Sequence, residues 1–133
     1  MDLIKVTPNR EKADSILNMV NKTLEMISEI DAEKFPSNVI KEYYEVIREL
    51  LSVLLLLDGY KTIGEGAHKT LIDYISKNYK EFNGYEISLI DDLRITRNKI
   101  AYDGFFVHTD YTKRKKQDII NLINKLKEII KKK

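Results

Sequence analysis

The chain contains no cysteine. Disulfides, thiolate metal sites and cysteine nucleophiles are therefore excluded. Long apolar runs are scarce as well. The longest, Leu50 to Leu57, is interrupted by Ser52, and a helix that spans a bilayer needs about 20 apolar residues. The opening MDLIKVTPNREK has no basic region followed by an apolar run, so no signal peptide is expected and a cytoplasmic, membrane-free protein is. His68 and His108 are the two histidines. They do not form a pair at helical spacing, and Asp91-Asp92 alone is a weak ligand set, so neither a metal nor another cofactor is expected. The glycine-containing stretch from Gly59 to Gly66 lacks, in its proper place, the lysine and hydroxyl residue of a phosphate-binding P-loop. Strand-like alternation of useful length is missing, and so are internal repeats.

What is present is a pattern of helices. A length of 133 residues allows one domain with a real core, and 33% charged with 43% hydrophobic residues fits a globular chain. Thr7-Pro8 is read as a cap followed by proline at the first helical position, opening a helix from about Pro8 to Ile30. After Phe35-Pro36-Ser37, with Ser37 as cap, a second helix runs from about Asn38 to Leu57. Its second half is apolar nearly all round, which predicts a central helix enclosed by neighbours. A third helix is predicted from about Ala67 to Tyr79, with His68 bonding locally in its first turn. Asn83-Gly84 marks a turn, and a fourth helix begins near Glu86. Phe105-Phe106-Val107 follows it and is assigned to core cover, with a subunit contact as the alternative. Thr109, Asp110 or Thr112 caps a last helix to about Ile130. The fold class is all-α, an up-and-down bundle of about five helices in a single domain covering residues 1–133.

A net charge of +2 does not itself argue for nucleic acid. Its distribution says more. Lys131 to Lys133 lie at the negative end of a helix dipole and need no ligand. Lys113, Arg114, Lys115 and Lys116 lie at the other end. A solvated face is the commoner meaning of such a run, but an anion-binding surface beside an arginine-bearing helix is the functional one.

The arginine-bearing helix ends in DDLRITRNKIAYDG, Asp91 to Gly104. At about 100° per residue, Leu89, Ile90, Leu93, Ile100 and Ala101 share one arc that should face the core. Arg97 falls within that arc. Asp91, Arg94, Asn98 and Tyr102 follow steps of three and four and form one polar ridge. Gly104 should stop the helix in the left-handed conformation. An arginine on an apolar arc snorkels, pairs with a buried carboxylate, or points into a cleft to hold an anion.

Two segments carry a resemblance to a known family. The first is YYEVIRELLSVLLLLDGYKTIGEGAHKTLIDYI, Tyr43 to Ile75. The second is LRITRNKIAYDG, Leu93 to Gly104. Together they resemble the HEPN superfamily of small helical bundles, whose signature is an arginine, commonly followed by a polar residue, then a histidine after four to six intervening residues. Arg97 and Asn98 match the start, and Tyr102 stands where the histidine would be. The resemblance implies a homodimer with these residues facing across a cleft. It implies Arg97 as phosphate anchor, Asn98 as its polar support and Tyr102 in the catalytic histidine's position. Arg94 and the block Lys113, Arg114, Lys115 and Lys116 would add peripheral charge for nucleic acid. Many members cleave RNA without a metal, others bind nucleic acid or nucleotides without cleaving, and some are toxins controlled by a minimal nucleotidyltransferase.

The departure at Tyr102 bears on chemistry. A phosphorane needs positive charge, which an arginine supplies. Proton transfer needs a group that titrates near the working pH, as histidine does. A tyrosine hydroxyl ordinarily titrates near 10, and is better suited to donating a hydrogen bond or stacking on a base. A HEPN-like RNA-associated protein of the toxin or defence type with weak or absent metal-independent cleavage, an interaction or nucleotide-binding subunit for a nucleotidyltransferase, and a plain bundle with arginine ion pairs are the three expectations.

Overall fold

A computed structural model describes residues 2–133. It is an all-α bundle of five helices with one small two-stranded sheet. The elements in chain order are β1 (Leu3–Lys5), α1 (Arg10–Ser28), α2 (Pro36–Asp58), β2 (Tyr60–Thr62), α3 (Ala67–Asn78), α4 (Gly84–Asp103) and α5 (Thr109–Lys131). Helix α2 is the centre, and each of the other four packs against it. Its inner positions Ile40, Tyr44, Ile47, Leu50, Leu51, Leu54 and Leu55 are at most 1% exposed. The nearly all-round apolar second half requires this, because a helix greasy on every face is stable only when surrounded. Removing one such leucine side chain costs about 2–5 kcal/mol.

The helix ends correct several sequence expectations. Asn9, not Thr7, caps α1, its side chain accepting from the Lys12 amide at 2.9 Å. Pro36 opens α2, and Ser37 does not cap it. The Ser37 hydroxyl instead accepts from the Val107 amide at 2.7 Å, joining the start of α2 to the α4–α5 connection. Asn83 and Glu86 form a reciprocal capping box at α4. His108 caps α5, Nδ1 accepting from the Asp110 amide at 3.1 Å.

The sheet is the feature the periodicity missed. β1 pairs antiparallel with β2 in the register Leu3↔Thr62, Ile4↔Lys61 and Lys5↔Tyr60. Three-residue strands are too short to show alternation, and their partners lie far apart in sequence. Hydrogen bonds from the Val6 amide to the Gly59 carbonyl and from the Ile63 amide to the Asp2 carbonyl extend the pairing. Gly59 ends α2 at φ +90°, where a Cβ would stand 3.3 Å from the Val6 carbonyl oxygen. Conformation and space both favour glycine. The N-terminal strand thus pins the α2–α3 loop, and that loop leads into the candidate site. Among the described residues no helix is long and apolar enough to cross a membrane.

Helix α4 is half core and half surface. Leu89, Ile90 and Leu93 are buried as predicted, but Ile100 is half-buried and Ala101 exposed. The last turns of α4 extend past the core. Beyond the left-handed cap at Gly104, Val107 covers the core, while Phe105 and Phe106 are exposed, Phe106 by 88%. Core cover therefore applies to one of those three residues.

Candidate functional site

Two helices meet at a surface cleft of about 260 Å³. The α2–α3 loop and the first turn of α3 contribute Gly64, Gly66, Ala67, His68 and Lys69, and α4 contributes Arg94, Arg97, Asn98 and Tyr102. The wall thus carries three cations and no carboxylate. Gly66 sits at the N-cap of α3 with φ +77° and no side-chain cap, so the cations and the positive end of a helix dipole share one opening.

The carboxylates that pair with these cations do not line the cleft. Arg94 Nε donates to Asp91 Oδ1 at 2.9 Å, and Lys69 Nζ lies 3.8 Å from the same oxygen. Lys69 also reaches Asp73 at 3.5 Å. Arg97 Nη2 lies 3.2 Å from Glu45 Oε1 on α2, while the other Glu45 oxygen accepts from Arg48 at 2.9 and 3.1 Å. The Arg97–Glu45 contact is an ion pair without good hydrogen-bond alignment. Glu45 Oε1 and Arg97 Nε are buried atoms with no hydrogen-bond partner among the described residues. Arg97 Nη1 donates weakly to Asn98 Oδ1 at 3.3 Å, and its guanidinium carbon lies 5.9 Å from the centre of the Tyr102 ring.

Arg97 therefore combines two of the three roles open to an arginine on an apolar arc. It pairs with a carboxylate, and it borders a cleft. Its side chain is 21% exposed and that of Arg94 is 22%. Five guanidinium N–H groups face too few acceptors here, and a buried unsatisfied donor costs about 1–3 kcal/mol.

Sequence reasoning did not place His68 in the site. The structure sets it on the cleft wall, half-buried, with its ring tilted against Tyr44 at 5.9 Å. It makes no local capping bond. Burial first, then the guanidinium groups of Arg48 and Arg97, hold its pKa below the usual 6.5. Glu45 acts in the opposite direction and does not prevail. Tyr44, 1% exposed, has its hydroxyl pushed up to about 12, chiefly by burial. The signal that could have found His68 was the glycine loop before it, which frees the start of α3 to face α4.

The block at the start of α5 is elsewhere. Lys113 pairs with Glu33 at 2.7 Å, and that carboxylate raises its pKa. Lys115 lies over the Tyr85 ring at 5.8 Å. Lys116 borders a mainly apolar cavity of about 320 Å³ between α1, α2, α5 and the α1–α2 connection. Arg114 is exposed. None of the four lines the cleft. His108 is committed to its helix cap and borders a different hollow, with Thr96, Lys99 and Tyr111. Among the described residues no three His, Asp or Glu side chains gather as a metal site would require. Searches of protein-family profiles, curated proteins and solved structures found no match to this chain.

Proposed function

We propose that this protein is a HEPN-like, RNA-associated protein that takes RNA backbone phosphate into the α3–α4 cleft and offers metal-independent endoribonuclease chemistry there. The observation that carries the proposal is the convergence of Lys69, Arg94 and Arg97 on one small opening without a carboxylate in its wall. Arginine suits the task because its planar fork binds two phosphate oxygens at once. Tyr102, 76% exposed at the rim, offers a face on which a base can stack.

A homodimer goes with this reading. Ile95 and Tyr102 lie seven residues apart on one stripe of α4, and Phe105 and Phe106 follow at its end, all four exposed. An apolar edge of this kind beside a polar cleft is the usual mark of a protein contact. A second copy seated there would close the cleft with its own Arg97 and Tyr102. Docking of a nucleotidyltransferase on the same edge is the second reading, favoured by the 88% exposure of Phe106.

Titration of a labelled single-stranded RNA at several salt concentrations tests the proposal. Binding should weaken with salt at a slope of about −0.7 per phosphate neutralised. Arg97→Ala should weaken affinity and flatten that slope. Binding that is absent, or equally strong in Arg97→Ala, would remove RNA from the account. Sedimentation of the same protein should give a dimer that Phe106→Glu disperses.

A further inference from the structure

On the footing of the RNA reading above, we propose that His68 of α3, rather than Tyr102 of α4, is the proton-transfer group for RNA cleavage in this cleft. His68 shares the cleft wall with Arg94, Arg97 and Asn98, so a phosphate held by the two guanidinium groups lies beside an imidazole. The ionisable groups packed around that ring come from three helices. Helix α2 presents Tyr44, Glu45 and Arg48, helix α4 presents Arg94 and Arg97, and Lys69 follows it on α3.

A general base must be unprotonated before the reaction and must be able to hold a proton during it. Burial first, and then the guanidinium groups of Arg48 and Arg97, favour the neutral imidazole, which meets the first condition. Among the described residues its ring has no hydrogen-bond partner, so a nitrogen can accept. Tyr102 offers an O–H donor at the rim, and proton removal by it would require a phenolate.

In the cleavage step, an imidazole nitrogen of His68 takes the proton of a ribose 2′-hydroxyl. The 2′-oxygen forms a bond to the adjacent phosphorus, whose charge Arg94 and Arg97 stabilise. The bond from phosphorus to the 5′-oxygen breaks, and the departing oxygen takes a proton from water. The hydroxide left behind recovers the proton held by the imidazolium. The products are a 2′,3′-cyclic phosphate and a 5′-hydroxyl, with no water consumed.

The test uses the full chain, EDTA, and a short end-labelled single-stranded RNA, with its 2′-O-methyl counterpart to report binding alone. Wild type should cleave the RNA to a cyclic phosphate, with a rate that climbs with increasing pH up to about 6.5 and stays level from there to pH 9. His68→Gln should lose about 100-fold or more in rate while binding the 2′-O-methyl RNA within about threefold of wild type. Tyr102→Phe should stay within about tenfold of the wild-type rate. Should His68→Gln fail to fold, carbethoxylation in a His108→Gln background followed by hydroxylamine gives the same readout, since hydroxylamine frees the imidazole and leaves a modified Lys69 unrestored. Cleavage lost on acylation and regained with hydroxylamine supports the proposal, and cleavage that is unchanged, or lost and not regained, overturns it. A rate that climbs through pH 9 and vanishes in Tyr102→Phe also overturns it, in favour of the tyrosine. Binding without cleavage overturns the role of His68 and leaves the RNA reading standing. Absence of binding overturns the RNA reading itself.

Discussion

Two groups of cations in this molecule, one of four and one of three, differ in what they can do. Lys113 to Lys116 are adjacent in sequence. Successive residues on a helix point about 100° apart, so the run fans out. One member meets Glu33, another an aromatic ring, another the edge of an apolar cavity. Lys69, Arg94 and Arg97 are scattered over nearly thirty positions of sequence, yet they border one cleft. A charge run in a helix is a spread of single charges, whereas a site needs charges from different elements aimed at one point. The carboxylates behind the cleft, Asp91 and Glu45, hold the cations in place without occupying the opening.

The contrast can be sharpened by mutation. The largest effect is expected for Arg94→Ala with Arg97→Ala, which should weaken RNA binding by about 100-fold or more, because hydrogen bonds to charged groups are worth about 1.5–3 kcal/mol each and two guanidinium groups are lost. Lys113→Ala, Lys115→Ala and Lys116→Ala combined should change it by less than about threefold at physiological salt. Equal losses in the two sets would erase the distinction. Filter binding at one fixed salt concentration checks both.

Glu45→Gln comes next. It removes the carboxylate shared by Arg48 and Arg97 and should lower stability by about 1–2 kcal/mol, less than for a fully buried pair because Glu45 and Arg97 are 27% and 21% exposed. Thermal melting should show this as a drop of about 3–8 °C. RNA affinity should hold or improve, since Arg97 loses a competing anion.

The pH dependence of stability is a smaller effect of known sign. The folded pKa of His68 is lower than its unfolded value of about 6.5. The unfolded chain therefore binds the extra proton first, and stability falls as pH drops below about 6.5. It levels off once the folded form is protonated too. Urea melts at several pH values should show this slope in wild type and a weaker one in His68→Gln. The smallest change is expected for Lys113→Ala. That pair is exposed on both sides, and the melting temperature should stay within error of wild type.

The bundle was legible because its helices announce themselves locally. Leu50 to Leu57 predicted an enclosed central helix, and the turn signal Asn83-Gly84 placed the start of α4 near Glu86, two residues after the observed Gly84. The left-handed stop at Gly104, φ +63°, followed from glycine itself. What was not legible depends on distant partners. β1 and β2 pair across some sixty residues. Ser37 satisfies the Val107 amide rather than its own helix. Ala101 sits on the right arc for burial but past the end of the core that would bury it. In the site, the wheel flagged Arg97 as unusual, and Arg94, Asn98 and Tyr102 do share its cleft. Glu45 and His68 escaped because their relation to Arg97 exists only after α2, α3 and α4 pack together.

The Nε–H group of Arg97 is buried without an acceptor, and it reports directly on whether the cleft takes a phosphate. Its nitrogen and proton resonances can be followed by NMR as a 2′-O-methyl RNA is added, alongside the signals of Lys113 to Lys116. The Arg97 resonance should shift and its proton exchange should slow at RNA concentrations that leave the lysine block unmoved. An Arg97 signal that stays fixed while the lysine signals shift would place the RNA on α5 and contradict the cleft's role as the phosphate site.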